Sequence, residues 1–466
     1  MKQNIIQNAG SFRDPMGHIY ESHQRIYRFI SEEGRKQYES ILSSIDDAVR
    51  QGYLVLSQEI SKEHWPTNNS NIAYVLEHSL IPYISYPYEW TFYYLKDAAL
   101  HHLNFQLFLL RRNIVLKDAS AYNIQFIGSK PLFIDLLSLA PYHQGNYWVG
   151  HHQFCEQFIN PLLLRSILGI PHNHWYRGRL EGITTSDINR IIPLHKKINW
   201  NIFIHIVLQN RLNNAATQDQ DKAIKKAKNQ KVFPKLVYEG ILIQIKKWIQ
   251  KLEPKHTGKT SWEKYADIHT YHADELIKKK RFIADFSNKV KPKILLDLGC
   301  NTGDYSLLSL EHGTEYVIGF DFDQTALDLA YHRAKQSSKP FLPLYLDASN
   351  PSPDQGWFQA ERSGFSKRTR PDALIALAFI HHLAITKNVP LSQLVNWLVA
   401  IAPQGIIEFI PKGDSTIVKM LALREDIFVD YYQDVFESLL ITHAKIVKKE
   451  TISKSGRILY WYDRNN

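Results

Sequence analysis

The sequence predicts an α/β protein: a C-terminal parallel sheet covered by helices on both faces, preceded by an α+β domain. Three observations predict it. From Lys293 onward, short apolar runs alternate with stretches of helical periodicity. A glycine turn, D-x-G-x-x-x-G from Asp297 to Gly303, joins the first run to the first helix. The chain ends in two β-prone runs about a "KSG" turn, so the last strand is expected antiparallel to the rest.

Taken in order, "GHIYESHQRIYRFI" (17–30) has two β-prone runs about a polar turn and reads as a hairpin. Residues 34–49 and 90–113 carry apolar side chains at helical spacing. These define an N-terminal α+β domain over 1–195. Residues 196–260 read as a lysine-rich helical connector, with "EPKHTGK" (253–259) as its linker, and 261–466 as the sheet domain. There "ILLDLG" leads to a helix over 304–312 that Gly313 ends. "YVIGFD" (316–321) leads to a helix over 323–336, and "PLYLD" (343–347) to a polar loop. "ALIALAFI" (373–380), a helix over 391–401, "GIIEFI" (405–410), a helix over 414–424 and the hairpin of "THAKIVKKETIS" with "RILYWYD" complete it.

At 466 residues and 44% apolar content the chain can bury two or three cores. No apolar run reaches about 18 residues, and the first 25 residues are interrupted by Lys2, Arg13, Asp14 and Glu21, so neither a membrane span nor a secretory signal is expected. Cys155 and Cys300 are far apart and lack a C-x-x-C neighbour. A cytoplasmic location is expected, and a cysteine zinc site or other metal is not. The net charge of +10 comes from residues 201–300, which hold 20 Lys+Arg against 10 Asp+Glu. "DKAIKKAKNQK" (221–231) and "IKKKR" (277–281) suit either a solvated connector or a phosphate-rich partner such as a nucleic acid.

In the glycine turn, Gly299 and Gly303 let the backbone approach a ligand, and the following helix starts with its N–H groups free. Asp321 ends the second strand, where an acid accepts hydrogen bonds from ribose hydroxyls. The spacing departs from the G-x-G-x-x-G of dinucleotide sites, which disfavours NAD. "LDLGCNTGDYS" followed by "VIGFDFD" resembles the first two motifs of class I S-adenosylmethionine-dependent methyltransferases, whose Rossmann-like seven-stranded sheet also ends in an antiparallel strand. Within 262–466, "PDALIALAFIHHLAI", "IIEFIPKGDSTIVKMLALREDIF" and "SGRILYW" are similar to a smaller group that includes NoeA-type nodulation proteins. The resemblance implies that Asp297, Gly299, Asn301 and Gly303 hold the methionine end of S-adenosyl-L-methionine, that Asp321 binds its ribose, and that Asp347 sits by its adenine.

Methyl transfer needs alignment of acceptor and methyl group and, for a hydroxyl, removal of a proton. His381 and His382 follow the fourth strand and are the candidate bases, since an unperturbed imidazole titrates near pH 6.5. Glu408, at the end of the fifth strand, is a candidate for the acceptor side or for a structural pair. No [DNS]-P-P-[YF] follows the fourth strand, which disfavours methylation of a flipped base's amino group. The expected acceptor is a hydroxyl of a small molecule or glycan; an RNA acceptor gripped by segment 201–300 is the alternative. Tyr265 and Tyr271 precede the first strand and could close the pocket or pack in the core.

Upstream, "VLKDASAYNIQF" and "KPLFIDLLS" set Asp118 and Asn123 as D-x-x-x-x-N, with Asp135 after an apolar run. This resembles the catalytic loop and metal-binding strand of protein-kinase-like and aminoglycoside-phosphotransferase-like folds. Leu116 stands where those families have His, "DLL" replaces D-F-G, and residues 1–75 show no glycine-rich phosphate loop. The resemblance therefore implies a degenerate kinase-like domain that selects substrate or regulates, rather than an active phosphotransferase; a short D-x-x-x-x-N match also suits an ordinary α/β substrate domain, which is the alternative.

Overall fold

The computed structural model describes residues 5–22, 25–67, 69–212, 233–255, 273–422 and 424–465. The 221–231 block, Tyr265 and Tyr271 lie outside them. The chain divides into two compact units: Met1–Phe126, Pro131–Thr257 and Gln355–Arg362 form the first, and Ile127–Lys130, Gly258–Asp354 and Ser363–Asn466 the second. Among the described residues, no helix is long and apolar enough to cross a membrane.

In the first unit, strands β1 (Ile6–Gln7), β2 (Gly17–Ser22), β3 (Arg25–Ser31), β4 (Ser57–Glu59) and β5 (Ile72–His78) form an antiparallel sheet of order β1-β2-β3-β5-β4. The expected hairpin is β2–β3, with Gly17 opposite Ile30. The Arg35–Arg50 helix buries Ile41, Ile45 and Ala48, which recur at helical spacing along one side. The Phe92–Arg111 helix starts where the Thr91 hydroxyl accepts the Tyr94 N–H. It is buried nearly all round, with Leu95, Ala99, Leu103 and Leu109 wholly enclosed. Two small pairs follow: β6 (Ile114–Leu116) antiparallel to β9 (Leu139–Pro141), and β7 (Ile124–Ile127) with β8 (Lys130–Phe133), whose turn-side ends Ile127 and Lys130 are assigned to the second unit. The Lys235–Gln250 helix packs on Phe92–Arg111, where Gln106 Nε2 donates to Tyr238 Oη at 2.7 Å and Arg111 pairs with Glu239 at 3.0 Å. A segment expected to be a connector thus contributes a buried face to this unit.

The second unit holds β10 (Ile294–Leu298), β11 (Tyr316–Asp321), β12 (Phe341–Tyr345), β13 (Ala373–Ala376), β14 (Gln404–Phe409), β15 (Lys445–Thr451) and β16 (Ile458–Asp463) in one sheet of order β12-β11-β10-β13-β14-β16-β15. Strands β10 to β14 are parallel, and β16 runs antiparallel to both its neighbours. Burial explains why β16 lies inside and β15 outside. Ile458 to Tyr462 are all buried, whereas β15 presents Lys445, Lys448 and Lys449, charges that discourage pairing at a free edge. Phe282, Ile283 and Phe286 of the Ala273–Val290 helix join Leu295, Val317, Phe341 and Trp461 in one core. The Leu391–Ile401 helix buries Leu394, Val395 and Leu398.

Several expected bounds move. The third strand stops at Tyr345 rather than 347, and the helix expected over 414–424 is Ser415–Leu421, with Asp414 as its cap. The Gln433–His443 helix was not anticipated. Of its five apolar residues, Val435, Phe436, Leu439, Leu440 and Ile441, only Phe436 and Leu440 are buried, so its core-facing periodic signal is weak.

Candidate functional site

The glycine turn and the end of β11 are tied together by backbone geometry. Gly299 and Cys300 donate their N–H groups to Phe320 O at 2.8 and 3.1 Å, which brings the turn over the end of the second strand. Gly299, Asn301 and Gly303 all adopt positive φ, of 80°, 48° and 83°. A Cβ on Gly303 would lie 2.4 Å from Phe341 Cε1, so this glycine is required by internal packing. At Gly299 the nearest atom would be Phe379 Cδ2 at 3.3 Å. Asn301 tolerates the left-handed conformation better than most residues, and its side-chain oxygen accepts the Thr302 N–H at 2.7 Å.

Asp321 closes this arrangement. Its Oδ2 accepts the Asn301 N–H and its Oδ1 the Asp323 N–H, each at 2.9 Å. Asp297, on the neighbouring strand, is buried and accepts the Ser306 hydroxyl at 2.6 Å. Burial pushes the Asp297 carboxyl up to about 7, against the Ser306 hydrogen bond, and the nearby Asp321 charge adds to the rise. Burial likewise lifts Asp321 to about 6. Neither acid forms an ion pair among the described residues. A carboxylate accepts up to about four hydrogen bonds, so Asp321 retains room for donors from a ligand.

Asp347 lies beyond the third strand. The last backbone bond to β11 is from Leu346 N–H to Asp321 O, at 2.9 Å, after which the chain turns away. Asp347 is only half-buried, and its Oδ1 accepts the N–H and hydroxyl of Ser349. Phe322, directly after Asp321 and 54% exposed, was missed from the sequence. The signal that could have found it is an aromatic residue following a strand-end acid.

The two histidines differ. His381 is buried, and neither ring nitrogen has a hydrogen-bond partner among the described residues. Its pKa falls well below 6.5, first through burial and then through the charges of His382 and Arg457. His382 is partly exposed and packs against His381 with ring centroids 4.1 Å apart; burial lowers it to about 4. The expectation of unperturbed imidazoles is therefore corrected, because the loop after β13 folds inward. Glu408 accounts for that fold. Its Oε2 accepts the Ala378 N–H at 2.8 Å and Lys279 Nζ at 2.6 Å, and Ala378 has φ 47°. Arg457 lies 3.9 Å from Glu408 and grips Asp414 through two hydrogen bonds of 2.7 and 2.9 Å. Against the desolvation of its site, the bonds from Arg457 and Ser455 hold Asp414 well below the usual carboxylate range. Lys279, the centre of the 277–281 basic block, is thus internal, and Arg281 pairs with Glu450 at 2.6 Å.

In the first unit, Asp118, Asn123 and Asp135 gather around one hydroxyl. Ser138 Oγ donates to Asp118 at 2.5 Å or to Asp135 at 3.0 Å, and Asn123 Nδ2 donates to Asp118 at 3.1 Å. Buried Arg28 of β3 pairs with Asp135 at 3.0 Å. Burial raises the Asp118 carboxyl. Arg28 was not singled out from the sequence, since it lies far from Asp135 in the chain and only the folded first unit pairs them.

No protein-family model matches the chain. Among solved structures, the N-methyltransferase NodS from Bradyrhizobium japonicum WM9 is similar over 41% of this chain and 97% of its own, at 12% identity and a TM-score of 0.31. The 16S rRNA methyltransferase RmtF, in complex with S-adenosyl-L-homocysteine, is similar over 44% of this chain and 69% of its own, at 16% identity and a TM-score of 0.30. Both likenesses are distant. The nodulation protein NoeA of Rhizobium meliloti (strain 1021) is 46% identical over 457 residues, which cover 98% of this chain and 96% of that protein. On that near-complete match, the chain belongs to the NoeA family of nodulation proteins.

Proposed function

We propose that the second unit is an S-adenosyl-L-methionine-dependent methyltransferase acting on a hydroxyl of a small molecule or glycan, and that the first unit holds or selects the acceptor. The observation that carries this reading is the pair Asp297 and Asp321: two desolvated acids at adjacent strand ends, neither ion-paired among the described residues, beside a turn of three positive-φ residues. These acceptors suit a ligand that is cationic and carries vicinal hydroxyls, and S-adenosyl-L-methionine is both. The parallel order from β12 to β14 and the antiparallel β16 also support the reading.

Asp297, Gly299, Asn301 and Gly303 would hold the methionine end, Asp321 the ribose, and Asp347 and Phe322 the base. The bound cofactor supplies an electrophilic methyl group. His382, neutral at pH 7 but a weaker base than a free imidazole, would orient an acceptor hydroxyl by accepting its hydrogen bond, while Glu408 holds its loop through the Ala378 N–H. His381 supports His382 by ring contact. A hydroxyl acceptor is preferred to RNA because Lys279 and Arg281 of the basic block are already engaged by Glu408 and Glu450. Transfer of a labelled methyl group into cell extract fractionated by chemical class tests this: label in a glycan or small-molecule fraction supports it, and label confined to RNA overturns the acceptor assignment.

A second reading concerns the first unit, which we infer to be kinase-like and regulatory. The cluster of Asp118, Asn123, Asp135 and Ser138 supports it, and the Arg28 pair with Asp135 argues against turnover. Thermal-shift titration with ATP and magnesium tests it; no response in either the wild type or Asp135→Ala ends this reading.

A further inference from the structure

The first unit contains a convergent group that the sequence did not reveal. His151 opens a helical stretch, His151–Phe154, that continues directly into a π-helical turn, Cys155–Ile159. A further π-helical turn, Leu164–Leu168, follows in the same stretch, and His205 lies on a third, Phe203–Leu208. Such turns are rare and often occur where a helix is adjusted to present side chains at a site. Here the first and the third bring three potential ligand atoms together. His151 Nε2 is 3.0 Å from His205 Nδ1 and 3.7 Å from Cys155 Sγ, and all three atoms lie within 4.8 Å of one another.

Zinc coordinates imidazole nitrogen at about 2.0–2.1 Å and thiolate sulfur at about 2.3 Å in tetrahedral geometry. The corresponding edges are about 3.3 Å for N···N and about 3.6 Å for N···S. The His151–His205 and His151–Cys155 separations fall within a few tenths of an ångström of these values. Cys155 is wholly buried and His205 nearly so, with Trp248 stacked on the His205 ring at 5.7 Å and Trp148 against His151 at 5.5 Å. A nitrogen–sulfur set in an aromatic surround selects a borderline-soft cation over magnesium or calcium.

We propose that His151 Nε2, Cys155 Sγ and His205 Nδ1 form a zinc site with a fourth position left to water, clamping the two π-containing helices of the first unit together. Binding replaces the thiol proton, so one proton leaves as one Zn–S bond forms. The site is independent of the methyl-transfer reading, since none of its residues belongs to the second unit.

The test uses the full-length protein, stripped with chelator and titrated with cobalt and then zinc. One equivalent of cobalt with a thiolate charge-transfer band and tetrahedral visible bands is expected, and zinc should displace it. Cys300→Ala should keep the band, and Cys155→Ser should lose it. His205→Gln should weaken zinc binding at least about tenfold. Absence of a stoichiometric thiolate–cobalt band in the wild type overturns the proposal, as does persistence of that band in Cys155→Ser. If Cys155→Ser does not fold, retention of the band in Cys300→Ala still assigns it to Cys155, and its loss there overturns the site.

Discussion

Asp321 Oδ2 accepts the backbone N–H of Asn301 at 2.9 Å, so an acid ending the second strand sets the shape of the loop that leaves the first. The same carboxylate also accepts the Asp323 N–H. Asp321→Ala should therefore do two things. It should cost about 1–3 kcal/mol of stability from unpaired backbone donors. It should also weaken S-adenosyl-L-methionine binding about 100-fold, roughly 2.7 kcal/mol. Calorimetric titration measures the second effect, and unchanged affinity would remove Asp321 from the cofactor site.

Asp297 makes stability depend on pH in a predictable sense. Its folded pKa, about 7, lies above the unfolded value near 3.8. The folded state therefore binds the proton more tightly. The contribution is fully present below pH 3.8 and is lost as pH rises through about 7. Asp297→Asn, which cannot ionise, should be more stable than the wild type at pH 8, by at most about 4 kcal/mol, and the gap should shrink at pH 5. Denaturant unfolding at the two values checks this; a gap that widens at low pH would refute the assignment.

Lys279 and Glu408 form a buried pair at 2.6 Å, and removing one partner leaves the other charge enclosed. Lys279→Met should cost about 3–5 kcal/mol. The double variant Lys279→Met with Glu408→Gln should recover part of that loss. Equal stability of the single and double variants, measured by urea unfolding, would show that the charges are not coupled.

Glycine positions in the same unit give a contrast. Gly303→Ala forces a side chain to within 2.4 Å of the Phe341 ring at φ 83°, and should cost about 2 kcal/mol or more. Gly413 has no atom within 4 Å of a would-be Cβ and no positive φ, so Gly413→Ala should change stability by under about 0.5 kcal/mol. Thermal unfolding of both variants decides the point.

Much of the second unit was legible because its signals are local. "YVIGFD" and the 391–401 helix match the observed Tyr316–Asp321 and Leu391–Ile401. Each is an apolar run of the right period ended by its own turn or cap. The glycine turn was legible for the same reason, since positive φ restricts residue choice position by position. The third strand ends two residues before Asp347, where it was expected to end, because strand ends depend on where the neighbour's last hydrogen bond falls.

By itself, then, the sequence determined the alternation of strands and helices, the antiparallel ending and the positions of Asp297 and Asp321, because periodicity and turn chemistry act over a few residues. Only the tertiary structure decided that β16 lies between β14 and β15, that His381 faces inward, that Lys279 meets Glu408 across 129 residues of chain, and that His205 meets Cys155. Those outcomes depend on which distant surfaces bury one another, and a side chain's direction after such packing leaves no mark in its neighbouring residues.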